Sequence, residues 1–141
     1  MTYAKVGACA LVALLALAAC AKSSDSSNAG ASAAPLSVGG KVYQTNCSSC
    51  HQTNGQGVPG TFPPLAGNEV VVGDASKVIH IVKYGLNGPI TVAGKPYGGI
   101  MPAWGSTLSN DDIAQAVTYI RSSWGNKASA VTQADVAAST R

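Results

Sequence analysis

The stretch Cys47-Ser48-Ser49-Cys50-His51 places two thiols and one imidazole within a single short segment. On a helical turn, residues three apart lie on the same side, so both thiols could form thioether bonds with the two vinyl groups of one porphyrin. The imidazole that follows would then lie under the iron and could donate a ring nitrogen to it. The spacing therefore predicts one c-type haem, attached through Cys47 and Cys50 and ligated by His51.

Two other kinds of site also use a Cys-x-x-Cys pair. A redox dithiol of the thioredoxin kind needs a strand–helix–strand context, which the sequence around the motif does not indicate. A zinc site usually has a second pair of ligands, but the other two cysteines, Cys9 and Cys20, lie near the N-terminus. The context thus favours haem attachment over both alternatives.

From about Leu36 to Asn126 the sequence resembles the class I c-type cytochromes. The pieces that carry the resemblance are Gly39, Tyr43, Pro63-Pro64-Leu65, Met101-Pro102 and a C-terminal helix with Tyr119. The runs Gly85–Trp104 and Ser122–Asn126 are similar to cytochrome subunits of periplasmic alcohol dehydrogenases and to cytochrome domains fused to oxidases and nitrite reductases. The resemblance implies an all-α class I cytochrome c fold, with three to four helices around one covalently attached haem c.

The resemblance also implies how the iron and the porphyrin would be held. Met101 would be the distal ligand, the carbonyl group of Pro63 would accept a hydrogen bond from the His51 imidazole, and Leu65 would pack on the haem face. A thioether opposite an imidazole stabilises ferrous iron. The other histidine, His80, is the competing candidate for the sixth ligand, although a lone helical histidine more often lies at the surface.

The N-terminal part of the chain has the pattern of an export signal. After Lys5, residues 6–19 are an unbroken run of small and apolar residues, shorter than the roughly 20 that span a bilayer. The run ends in Leu17-Ala18-Ala19-Cys20, which resembles a bacterial lipobox, in which the cysteine is acylated and becomes the N-terminus. We therefore expect a signal peptide at 1–19 and a lipid anchor at Cys20 on the periplasmic side of a bacterial membrane. The alternative is ordinary signal cleavage, with Cys20 incidental.

Composition divides the remaining chain into three parts. Residues 20–35 are mainly Ser and Ala, with one Gly and one Asn, which predicts a flexible tether. Residues 36–126 are the predicted cytochrome domain. Residues 127–141 form a C-terminal extension with a weak helical pattern, which could fold back on the domain or stay loose.

Within the domain, turn and capping signals predict where the elements lie. We expect a helix over 38–46 that leads into the haem motif, and a second helix that ends at Tyr84 before Gly85. A hairpin-like loop over 90–97 should lead to Met101. The sequence Ser109-Asn110-Asp111-Asp112 resembles a capping box at the start of the last main helix.

The charge pattern limits the partners. Charged residues are 11% of the chain and the formal net charge is +3, too small and scattered to suggest a nucleic acid partner. Lys77, Lys83 and Lys95 form a weak basic cluster, which is more often a solvated face than a docking patch.

These features predict an electron carrier that changes no substrate itself and exchanges single electrons with redox proteins such as a dehydrogenase, a reductase or a terminal oxidase. The closer resemblance also favours an obligate electron-transfer subunit of a dehydrogenase or reductase complex. A haem peroxidase or gas sensor would need an open sixth position with catalytic polar groups above it, and Met101 argues against this.

Overall fold

The computed structural model describes residues 36–141, so the predicted signal peptide, the predicted acylation site Cys20 and the predicted tether lie outside the described residues. The described part contains these elements: α1 Val38–Asn46, α2 Ser48–His51, α3 Glu69–Val72, α4 Ala75–Tyr84, β1 Ile90–Val92, β2 Lys95–Tyr97, α5 Asn110–Ser122 and α6 Gln133–Ala138. In this part only α1, α4 and α5 are nine residues or longer. The predicted all-α class is confirmed. None of the helices in residues 36–141 has the length and apolar character needed to span a bilayer.

Capping side chains set the ends of the long helices. The Ser37 hydroxyl and the Asp74 carboxylate accept hydrogen bonds from the first-turn amides of α1 and α4. Ser109 and Asp112 form a full capping box at the start of α5, as predicted. Gly85, with φ of +80°, ends α4 because it can adopt a left-handed backbone conformation.

Helices α1 and α5 cross closely, and this crossing fixes the direction in which α1 approaches the haem motif. A Cβ atom on Gly39 would lie 2.1 Å from the backbone oxygen of Gln115, so only glycine fits at the contact. Tyr43 is buried beside this contact, with its ring centroid 5.5 Å from that of Tyr119 and 5.0 Å from that of Trp124. Gly39 and Tyr43, which carry part of the resemblance, therefore lie at the crossing of α1 and α5.

The C-terminal extension folds back and joins the main core. Val131 and Val136 are buried in the same cluster as Ile79 of α4 and Ile113 and Val117 of α5. Helix α6 packs against both α4 and α5. Of the two possibilities that the sequence left open, the structure therefore has the packed one.

Two short elements complete the described fold, helix α3 and the hairpin. The one-turn helix α3 was not predicted, and its start is capped by Asn68, whose side chain accepts the amides of Val70 and Val71. Strands β1 and β2 pair antiparallel as the predicted hairpin. The Glu69 carboxylate accepts the amide of Ala93 at 2.8 Å, which ties the hairpin turn to α3.

Candidate haem site

The end of α1 and the turn α2 place the three motif residues on one wall. The amide of Cys47 donates to the Tyr43 carbonyl at 2.8 Å, and the amide of His51 donates to the Cys47 carbonyl at 3.0 Å. The motif is therefore wound into a single helical turn that continues α1. Cys47 and Cys50 carry free thiols, and both line the same cleft as His51. This is the arrangement that covalent attachment of one porphyrin requires.

The cleft has a volume of about 320 Å³, within the range of small-molecule and cofactor sites. Apart from Cys47, Cys50 and His51, the wall of the cleft is mainly apolar. It is made by Asn46, Ser49, Phe62, Pro63, Ile81, Leu86, Ile90, Gly99, Ile100, Met101, Pro102 and Trp104. A large planar apolar group with a central metal would meet apolar side chains here and two candidate ligands. The lining thus fits a haem.

The His51 side chain is held so that one ring nitrogen stays free. Its side chain is 8% exposed, and its Nδ1 lies 2.9 Å from the carbonyl oxygen of Pro63. Because a carbonyl oxygen only accepts, Nδ1 carries the proton and the lone pair of Nε2 is free to bind a metal. Burial lowers the pKa of His51, and the hydrogen bond to Pro63 opposes part of that shift. The hydrogen bond that the resemblance implied for Pro63 is therefore present in the structure.

The described residues give no support to the two alternative uses of the cysteines. Burial, and to a lesser degree the neighbouring Cys50, raises the pKa of the Cys47 thiol to about 11, whereas a redox dithiol needs a thiolate near neutral pH. The sheet in residues 36–141 is a two-stranded antiparallel hairpin without a strand–helix–strand unit. No group of three or more His, Cys, Asp or Glu side chains in this part of the chain could hold a metal ion.

Met101 lines the same cleft from the loop that follows β2. Its amide donates to the Leu86 carbonyl at 2.9 Å, and the amide of Leu86 donates to the Met101 carbonyl at 3.0 Å. A Cβ atom on Gly85 would lie 2.7 Å from the Met101 oxygen, so the loop also needs a glycine at the end of α4. The structure thus brings Met101, His51 and both cysteines to one cavity.

The other candidate residues are placed differently. Leu65 does not line the cleft: it packs with Cys47 against the cluster of Tyr43, Val71 and Ile120. His80 lies on the exposed side of α4 with its ring 4.9 Å from that of Tyr84, and it is likewise outside the described lining. Of the two candidates for the sixth ligand, Met101 therefore lines the cleft that holds His51, and His80 does not.

A larger groove of about 1070 Å³ runs along α4 from Asp74 to His80 and reaches Asp135 and Ser139. Its described lining includes none of Cys47, Cys50, His51 and Met101. Size alone therefore does not identify the functional site, and the chemistry of the lining does.

Residues 37–124 match the family model for cytochrome c. The chain belongs to the cytochrome c family. Members of this family bind one covalent haem c and transfer electrons, and Cys47, Cys50 and His51 supply the attachment motif of this cytochrome. The observed helical architecture agrees with this assignment.

The cytochrome is similar to proteins of two kinds. It is 40% identical over 92 residues to cytochrome c-552 of Thermus thermophilus, covering 62% of this chain and 69% of the relative. It is 42% identical over 101 residues to the cytochrome c subunit of a quinone-dependent alcohol dehydrogenase of Gluconacetobacter polyoxogenes, covering 70% of this chain but 21% of that subunit. The cytochrome c subunit of a gluconate 2-dehydrogenase of Pantoea cypripedii is 40% identical over 103 residues, covering 71% of this chain and 23% of the subunit. The cytochrome therefore spans only about a fifth of the dehydrogenase subunits that it matches.

Asn126 supports the site, and this role was not found from the sequence. The buried Asn126 side chain accepts the amide of Gly67 at 2.9 Å and donates to the carbonyls of Leu65 and Ile120. Asn126 therefore connects the loop that carries the Pro63 carbonyl to the end of α5. A single asparagine after a helix has many possible roles, so no sequence signal distinguished this one.

Proposed function

We propose that the cytochrome is a lipid-anchored carrier of single electrons on the periplasmic side of a bacterial membrane, with His51 and Met101 as axial ligands of one haem iron. The observation that carries the proposal is that both side chains line the cleft that holds Cys47 and Cys50. When bound there, the haem supplies a one-electron ferrous–ferric couple whose potential depends on the axial ligands.

The protein keeps the two ligand side chains in place while the charge of the site changes. His51 is oriented by its hydrogen bond to Pro63, and Met101 is oriented by its paired backbone hydrogen bonds to Leu86. A soft thioether opposite an imidazole favours the reduced site without preventing oxidation. Because neither ligand has to leave or arrive, electron exchange requires little rearrangement.

The lining of the cleft supports a carrier rather than an enzyme. Besides Cys47, Cys50 and His51, its described polar groups are the side chains of Asn46 and Ser49 and the indole of Trp104, and none is a general acid or base at neutral pH. A peroxidase or gas sensor would need polar catalytic groups over an open position on the iron. The cytochrome therefore changes no substrate itself under this proposal.

The location of the protein is inferred from the N-terminal sequence. Residues 1–19 would be removed as a signal peptide, and Cys20 would be acylated at the new N-terminus. The tether at 20–35 would reach roughly 50 Å when fully extended, which allows the domain at 36–126 to move between donor and acceptor at the membrane surface.

The partners would be redox proteins that approach the mouth of the cleft. Ile100, next to Met101, is 69% exposed and gives this edge an apolar side chain that a partner could cover. The relatives named as dehydrogenase subunits favour a second candidate, an obligate electron-transfer subunit of a dehydrogenase or reductase complex. Both candidates require the same haem site.

The test uses the purified holoprotein. Haem-peroxidase staining after denaturing electrophoresis should show a band that a Cys47→Ala, Cys50→Ala double variant loses. Potentiometric titration should fit one electron, and the reduced protein should bind carbon monoxide slowly or not at all. Rapid carbon monoxide binding together with peroxide turnover would instead support an enzyme or sensor. Co-purification of the untagged cytochrome with a dehydrogenase from its own membrane would favour the subunit over the free carrier.

A further inference from the structure

We propose that the C-terminal extension, residues 127–141, is a positioning element for Met101. Lys83 and Tyr84 connect the extension to the C-terminal end of α4, and the loop that carries Met101 is bonded to the same end of that helix. This inference rests on the proposed function, because it concerns the loop of the proposed distal ligand. It assigns a role to a segment that lies beyond the part of the chain matched by the family model, 37–124.

The first connection joins α4 to the end of α6. The Lys83 ammonium donates to the carbonyls of Val136 at 2.6 Å and Ser139 at 2.9 Å. The Tyr84 hydroxyl donates to the Ser139 carbonyl at 2.6 Å. The last carbonyls of a helix lack partners within the helix, and a cation there also interacts favourably with the helix dipole. Lys83 belongs to the weak basic cluster noted in the sequence, but its ammonium group makes hydrogen bonds within the protein.

The second connection joins the same residues of α4 to the Met101 loop. The carbonyl of Val82 accepts the amide of Trp104 at 3.1 Å, and the carbonyl of Lys83 accepts the amide of Gly105 at 2.9 Å. The paired backbone hydrogen bonds between Leu86 and Met101 lie immediately after the end of α4. Lys83 and Tyr84 thus hold the extension through their side chains. Val82, Lys83 and Leu86 hold the Met101 loop through their backbone groups.

The extension is itself fixed to α5, so it can act as a support. Val136 is fully buried between α4 and α5, and Val131 is 7% exposed. The Thr118 hydroxyl accepts the amide of Val131 at 2.9 Å. The buried Arg121 guanidinium donates to the Ser129 carbonyl at 2.9 Å. The extension therefore links the longest helix of the described part to the end of α4.

The test is a Lys83→Met, Tyr84→Phe double variant, which removes the three side-chain hydrogen bonds but keeps Val131, Val136 and the backbone partners of the loop. Lys77→Met is the matched control, because Lys77 is exposed on the same helix. Amide hydrogen exchange in the reduced holoprotein should be about tenfold faster or more at Met101, Trp104 and Gly105 in the double variant. The His51 amide should exchange at the wild-type rate in both variants.

Entry of imidazole into the oxidised holoprotein gives a second readout. If the extension positions Met101, imidazole should bind the double variant about tenfold faster than wild type or the control. Exchange that is faster at every amide to the same degree, or unchanged at the loop, would show that the extension adds only overall stability and would overturn the inference. Unchanged imidazole entry would overturn it as well.

Failure of the ligand assignment is a separate result. If wild type takes up imidazole as fast as Met101→Ala does, Met101 is not the ligand and that part of the proposed function fails. Amide exchange of the loop would then still show whether the extension holds it. Suppose instead that Met101→Ala does accelerate imidazole entry, but amide exchange of the loop is unchanged in the double variant. That result would overturn the inference and leave the proposed function intact.

Discussion

The Nδ1 atom of His51 lies 2.9 Å from the carbonyl oxygen of Pro63, and Gly57 makes room for that carbonyl. A Cβ atom on Gly57 would lie 2.3 Å from the backbone oxygen of Phe62 and 2.6 Å from that of Pro63. Gly57 also has φ of +63°. The glycine thus allows the Pro63 carbonyl to reach the imidazole.

We therefore expect Gly57→Ala to displace the Pro63 carbonyl and to weaken its hydrogen bond with His51. A less electron-donating imidazole stabilises ferric iron less, so the reduction potential should rise, as measured by potentiometric titration. The free energy of unfolding should also fall, by about 3 kcal/mol, because a left-handed residue and a backbone overlap both cost stability.

Gly60→Ala is the matched control for that prediction. Gly60 has φ of +74°, but a Cβ atom there would have nothing within 4 Å. This variant should lose only about 1 kcal/mol of unfolding free energy and keep the wild-type potential. Equal reduction potentials in the two variants would show that the Gly57 contact does not affect the potential of the haem.

The capping box of α6 should make the extension sensitive to acid. Hydrogen bonds from the side chain and the backbone amide of Thr132 hold the pKa of the Asp135 carboxyl below its usual range. A carboxyl whose pKa is lower in the folded state contributes stability above the unfolded value of 3.8, and loses it as pH falls through the folded value. Asp135→Asn should therefore unfold at a lower temperature than wild type at pH 7.

The unfolding temperatures of wild type and Asp135→Asn should converge in acid. Once Asp135 is protonated in both the folded and the unfolded state, its carboxyl no longer distinguishes wild type from the variant, so the two melting curves should approach each other as the pH falls below the unfolded value of 3.8. Calorimetry at a series of pH values measures this. A difference that stays constant with pH would mean that the lost stability comes from packing and not from the charge of Asp135.

The proposed lipid anchor depends on one side chain. Cys20→Ala removes the thiol that we propose is acylated, and the apolar run of residues 6–19 is too short to hold the protein in a bilayer. The variant should be recovered as a soluble or unprocessed form on membrane fractionation, while Cys9→Ala should behave as wild type. The lipobox interpretation would be wrong if the Cys20 variant stays membrane-bound to the same extent and wild type carries no acyl group.

Much of the fold could be predicted because its signals are local. The spacing of Cys47, Cys50 and His51 allows few kinds of chemistry, and the capping side chain of Ser109 acts within its own helical turn. Gly85 ends α4 where expected for the same reason. These signals depend on neighbours in sequence, so no tertiary information was needed to interpret them.

The supports of the site could not be predicted, because they join distant parts of the chain. Lys83 reaches a carbonyl group 53 residues away, and Asn126 reaches one 61 residues away. Nothing in the sequence near Lys83 distinguishes it from an exposed lysine such as Lys77. The packing of Leu65 against the cluster of Tyr43 and Val71 also joins distant parts of the chain, so the local sequence does not determine it.

The absorption spectrum of the oxidised holoprotein tests the central claim most directly, by comparison of wild type with Met101→Ala and His80→Ala. Wild type should show the weak long-wavelength charge-transfer band of methionine bound to ferric haem, and Met101→Ala should lose it, have a lower potential and bind carbon monoxide when reduced. His80→Ala should match wild type, because His80 is exposed and outside the described cleft lining. If wild type lacks the band and His80→Ala alters the spectrum, the iron is ligated by two histidines and the account is contradicted.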